Sequence, residues 1–163
     1  METISLDVDG IVRQHERFER MRDCARDLTP VWEQVHTAFM LEMDQQFRTQ
    51  GAYFLGAEWT PLSPAYARRK PKPPSPFGIL YRSGDLYRSL TSEQADGHVK
   101  HLTPTDAVMG SSIEYGKYHQ SGGGKLPQRK ILQMRQEFKR FVFRTTMKYL
   151  LTGEAVAGVA TGA

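Results

Sequence analysis

Cysteine is nearly absent: Cys24 stands alone in 163 residues, so neither an intrachain disulfide nor a cysteine-cluster metal site can form. On a helix crowded with charges it reads as a small, half-buried residue. No apolar run approaches the roughly 20 residues that cross a bilayer, and no membrane partner is expected. Met1-Glu2-Thr3-Ile4-Ser5 has neither the basic start nor the apolar stretch of a secretory leader, which points to a protein made and assembled in the cytosol. Catalytic signatures are missing too. No His-x-x-x-His pair and no pair of carboxylates at metal spacing occurs. His98 and His101, three apart in a strand, point to opposite faces and cannot share an ion. The run Gly122-Gly123-Gly124 lacks the lysine and the preceding strand of a phosphate loop, and Ser83 and Ser121 lack the setting of a nucleophile elbow. His119 near Glu114 and Tyr115 could in principle move a proton, but a loop histidine satisfied by backbone is the simpler reading. The expectation is no enzyme, no metal and no cofactor.

What the chain does have is charge divided by sign. Residues 1–60 carry 6 Lys/Arg against 11 Asp/Glu, while residues 61–163 carry 16 against 7. Such asymmetry suits a polyanionic partner or subunits that meet acidic face to basic face, though an uneven solvated surface would look the same.

Periodicity divides the chain into elements. Ile4, Leu6 and Val8 alternate with polar residues, the pattern of a half-buried strand ended by Gly10. Residues 11–28 read as a polar helix with Phe18, Met21, Ala25 and Leu28 on one stripe. Thr29-Pro30 restarts a helix over 30–50, with threonine as cap and Trp32, Val35, Phe39, Met43 and Phe47 inward. A short helix fits at 63–70. Pro71 to Gly78 reads as an extended proline-rich arm, and Ser83-Gly84-Asp85 opens a helix with Leu86 and Leu90 inward. Residues 98–102 and 106–110 form a hairpin around Thr103-Pro104-Thr105. Residues 121–125 form a glycine loop that no regular element can contain, and a last helix runs from about 129 to 151. The fold class is α+β, with long helices on a small antiparallel sheet. Residues 1–152 make one domain, and 153–163, all small residues after Glu154, a flexible tail.

Between residues 54 and 132 short motifs follow one another: Trp59-Thr60-Pro61-Leu62-Ser63 with Tyr66; Leu80-Tyr81-Arg82-Ser83-Gly84-Asp85-Leu86 with Ser89; Gly110; Tyr115 through His119-Gln120-Ser121-Gly122; and Pro127-Gln128-Arg129. Their order and gaps resemble the phage virion morphogenesis family, the tail-completion proteins of long-tailed phages. The resemblance implies a structural virion protein at the head–tail junction. It implies a homo-oligomeric ring, sixfold in that family, contacting head-closure or connector proteins on one side and tail terminator or tail tube on the other. A tail terminator or another connector-ring subunit are neighbouring roles. The residues point to packing: Trp59 anchors a returning loop, Gly84 and Gly110 occupy tight backbone positions, and Tyr115, Tyr118 and His119 close one helical face over the sheet.

Arg140, Arg144 and Lys148, four apart, stack on one face of the last helix. In a ring they could face genomic DNA in the lumen, or meet an acidic helix 11–28 of the next subunit, the reading preferred for a channel through which DNA must slide. A nonspecific nucleic-acid-binding protein is the alternative of another class. It would need exposed aromatics beside those cations, and Phe138, Phe141 and Tyr149 read as core.

Overall fold

The computed structural model describes residues 8–70, 78–124 and 126–155. Seven helices and one hairpin make up the described chain: α1 (Val8–Ala25), α2 (Thr29–Arg48), α3 (Ala52–Leu55), α4 (Pro64–Arg69), α5 (Asp85–Thr91), β1 (His98–Leu102), β2 (Ala107–Ser111), α6 (Glu114–Ser121) and α7 (Gln136–Thr152). The α+β class is as read from the sequence. Ile4 and Leu6 of the expected first strand lie outside the described residues, as do 71–77 of the proline arm, Lys125 of the glycine loop and 156–163 of the tail. Val8 is the first residue of α1 and not the end of a strand, and Gly10 lies inside that helix.

Helix α2 organises the molecule. Its entrance differs by one residue from the expectation: Thr29 is helical, and its N–H is taken by the Asp27 carboxylate at 2.9 Å; the Thr29 side chain first, then this N–H, hold the Asp27 pKa below its ordinary value. Pro30 occupies the first turn, where its missing N–H costs nothing. One side of α2 meets α5 and another meets α7. Met43 and Phe47 join Phe54, Trp59, Leu86, Leu90 and Ile131 in one core cluster. Val31, Val35 and Ala38 join Phe138 in a second, and Phe39 touches both. The β1–β2 hairpin pairs His98 with Ser111 through Leu102 with Ala107 and rests on α5 and α2.

Two long elements depart from expectation. Helix α1 has no buried residue; Phe18 and Ala25 face solvent, while Met21, Cys24 and Leu28 are half-buried on the side of α7. Its stripe is real, and the element it meets among the described residues is α7. The final helix begins at Gln136, seven residues later than the periodicity suggests, because 126–135 run as an irregular segment.

A histidine pair, one ring buried and one half-buried, has no counterpart in the sequence pattern. His36 of α2 is 1% exposed, and its Nε2 lies 2.9 Å from Nε2 of His98 on β1. His98 Nδ1 donates to the Ser89 carbonyl at 2.8 Å, so neutral His98 must accept at Nε2 and His36 must donate. Lys100, bridging Glu33 and Glu93 at 2.7 Å each, stands beside the pair. Burial first, then Lys100 and His98, hold the His36 pKa below its usual value. A histidine with a depressed folded pKa binds its proton more readily when unfolded, so its contribution is intact above the unfolded value near 6.5 and is lost as pH falls below it. Urea midpoints should drop between pH 7 and pH 5, by up to about 1.4 kcal/mol per pH unit for each proton taken up on unfolding. Replacing His36 by Gln should flatten that slope, and an unchanged slope would remove the pair from the account.

Candidate functional site

Segment 126–135 has no ladder or helix to satisfy its backbone, and buried amides must find partners somewhere. They find side chains. Trp59 Nε1 donates to the Lys130 carbonyl at 2.9 Å, and Gln46 Nε2 to the same oxygen at 3.0 Å. Gln120 Oε1 accepts from the N–H groups of Ile131 (2.7 Å) and Leu132 (2.9 Å), while its Nε2 donates to the Leu132 carbonyl at 2.7 Å. Arg129 closes the arrangement: its N–H donates to the His119 carbonyl at 2.8 Å, its Nε to Thr60 O at 3.0 Å and its Nη2 to Pro61 O at 3.3 Å. Arg135 then lies over the Tyr53 ring, 4.1 Å from its centroid.

Local backbone makes these meetings possible. Gly51 holds φ +98°, and a Cβ there would fall 2.5 Å from the Trp59 indole, so only glycine lets the indole lie against the end of α2. Gly122 holds φ +70°, with the Gln128 backbone 2.9 Å from where a Cβ would sit. Within the glycine loop Gly123 and Leu126 exchange backbone bonds at 3.0 and 2.9 Å, an isolated bridge.

The walls enclose an open groove of about 830 Å³ in which Pro61, Leu62, Tyr66, Leu80, Tyr115, His119 and Arg129 come together with Ser63, Lys70, Tyr81, Arg82, Ser83, Leu126 and Pro127. Trp59, Gly84, Leu86, Gln120 and Gly122 lie behind or beside this surface. Gly84 caps α5 at φ +88°, and Leu86 is 2% exposed with its N–H on the Tyr115 hydroxyl at 3.3 Å. Ser89 is deeper, bonded to Leu86 O at 3.0 Å and Ser111 Oγ at 2.7 Å. Gly110 is buried in β2, where a Cβ would meet nothing, so no tight backbone approach requires it. The face of α6 does not close over the sheet: Tyr115 reaches the start of α5, and Tyr118 is exposed beneath Lys117.

The groove's charge is of one sign. Lys70, Arg82, Arg129 and His119 line it, and no carboxylate is among the described lining residues. Burial, then Arg129, lowers the pKa of both Lys70 and His119, and burial lowers that of Arg129. His119 Nδ1 is buried without a hydrogen-bond partner among the described residues, so the backbone-satisfied loop histidine expected from the sequence is not what the ring shows. Glu114 instead pairs with Lys117 at 3.0 Å.

Arg140, Arg144 and Lys148 lie outside the groove, exposed along α7. Phe138 and Thr145 are buried on the opposite side, and Phe141 and Tyr149 are half-buried, as core residues should be. Helix α1, the counterpart expected for the basic stripe, carries no net charge: Val8–Ala25 holds Arg13, Arg17, Arg20 and Arg22 against Asp9, Glu16, Glu19 and Asp23. The acidity of the first 60 residues resides elsewhere.

Sequence reasoning missed Gln46 and Gln120's clamping role. Gln46 could have been found as a polar residue on the buried stripe of α2, between Met43 and Phe47. It also missed a second, apolar groove of about 900 Å³ between α2, β2 and α7, lined by Trp32, Val108, Leu132, Met134 and Phe143 among others. Phe143 is 66% exposed there, and Trp32 Nε1 is buried without a partner among the described residues. Among those residues no cluster of three or more His, Cys, Asp or Glu could hold a metal, and no helix is long and apolar enough to cross a membrane. No curated protein and no solved structure matches the chain. The model of the phage virion morphogenesis family matches residues 11–151, which include α2 through α6 and nearly all of α1 and α7.

Proposed function

Since the chain belongs to the phage virion morphogenesis family, we propose that it is a structural subunit of the head–tail junction, added from the host cytoplasm to complete the tail or join it to the head. It acts by contact and not by catalysis. The family match carries this reading, and the geometry supports it: the motif residues serve to hold a groove open at the surface. Tail terminator or another connector-ring subunit are the neighbouring roles on the same surface chemistry.

A homo-oligomeric ring, a hexamer as in the family, is the proposed working form. A heterologous ring needs two unlike patches per subunit. The exposed stripe Val8, Ile11, Val12 and Phe18 on α1 is one, and the apolar groove between α2, β2 and α7 is another. The connector and the terminator or tube proteins are the proposed neighbours above and below, with genomic DNA in the lumen.

One observation favours a second reading. Phe143 is exposed between Arg140 and Arg144, an aromatic beside cations of the kind that binds nucleic acid without reading sequence. The assembly reading is tested with a phage whose gene for this chain carries an early stop. Lysates should contain filled heads and separate tails by negative-stain microscopy, and joined, infectious particles would refute it.

A further inference from the structure

We propose that the cationic groove receives a carboxylate side chain carried on a segment of a neighbouring virion protein; this rests on the assembly reading and names the chemistry of the partner. Arg129 is 4% exposed, and it donates to carbonyls: His119 O from its backbone, Thr60 O and Pro61 O from its guanidinium. A charge removed from water without a counter-charge is costly, and carbonyl dipoles offset only part of that cost. Lys70 and Arg82 add to the same field, and Arg82 has no ion pair among the described residues.

Among the described residues no carboxylate lines the groove to supply the missing anion. Asp85 is engaged by Arg88 at 2.5 Å and by the Ser83 hydroxyl, and Glu114 by Lys117. The residues between Lys70 and Gly78, Pro-Lys-Pro-Pro-Ser-Pro-Phe, contain no acid in sequence. Meanwhile His119 Nδ1 is a buried polar atom still to be satisfied. Leu62, Leu80, Leu126 and Pro127 flank the cations, a lining suited to the methylenes of a glutamate and its neighbours. A phosphate on a rigid duplex cannot reach into a groove toward a guanidinium that is 4% exposed, whereas a flexible acidic side chain can.

The experiment titrates the full chain with glutarate at fixed ionic strength and follows the Arg129 Nε–H and His119 ring signals by NMR. Saturable shifts are expected, with His119 titrating at higher pH when glutarate is bound, because a nearby anion favours the imidazolium. Arg82→Gln, at an exposed position, should keep the fold and weaken binding about tenfold, the equivalent of ~1.4 kcal/mol. Shifts reproduced by chloride alone overturn the proposal, as does a short DNA duplex that moves the same signals at lower concentration than glutarate. These readings do not depend on the phage: joined virions without the protein would defeat the assembly reading while leaving glutarate binding measurable.

Discussion

Replacing Trp59 by Ala should destabilise the protein by about 3–5 kcal/mol, the range for truncating a buried tryptophan, and lower Tm by roughly 10 °C for a chain of this size. The indole is 2% exposed. It meets Phe47 edge-on at 5.6 Å and 82°, and covers the glycine that ends the α2 turn. Its loss would open a cavity against Ile131 and Leu86 in the same cluster. Trp59→Phe separates packing from hydrogen bonding: Gln46 still donates to Lys130 O, so removing the indole N–H should cost only about 1 kcal/mol, that of an ordinary hydrogen bond. Thermal and urea unfolding followed by circular dichroism measure both variants. An Ala variant within about 1 kcal/mol of the parent would show that the indole is not a keystone of the core.

The second large effect is expected on assembly and not on stability. Changing Arg140, Arg144 and Lys148 together to Gln should leave the fold intact, since exposed substitutions usually cost less than ~0.5 kcal/mol each. On the reading that the stripe meets an acidic surface on a neighbour, phage carrying the triple variant should nevertheless yield unjoined heads and tails. If the stripe instead lines a DNA channel, particles should form and differ in DNA ejection. The free parent protein could instead bind duplex with a steep salt dependence. If the triple variant's log–log slope is then shallower by roughly three, one for each phosphate no longer neutralised, the nucleic-acid reading replaces assembly.

Which parts of this were legible in the sequence follows from how local their causes are. Helix α2 shows itself through Val35, Phe39, Met43 and Phe47, and the hairpin through Thr103-Pro104, because spacing within one element decides both. Ser63 capping α4, its Oγ taking the Tyr66 N–H at 3.3 Å, is equally local. The segment from Arg129 to Arg135 reads as helix by composition. It is not helical because its backbone is claimed by Gln46 and Trp59, 84 and 71 residues distant from Lys130, and no window along the chain contains them. Phe18 misled for the opposite reason: an amphipathic stripe announces that something should cover it, without saying whether that surface belongs to the same chain. The His36–His98 pair spans 62 residues and joins a helix to a strand, so no single periodicity contains it. The groove residues were found as motifs, while their common sign of charge emerged only when Lys70, Arg82 and Arg129 came together.

The clamps on residues 129–132 also bear on the order in which the molecule folds. The α2 turns and the β1–β2 hairpin close short loops, whose entropy is small and whose formation takes microseconds. The junction at Lys130 requires chain segments separated by 71 and 84 residues to meet, and that entropy is given up before any clamp forms. The turns of α2 and the hairpin are therefore expected to form early, and the groove to be among the last features to take shape. The groove then closes in the same step as the part of the core that Trp59 and Ile131 complete, so a subunit whose chain is unfinished would have neither.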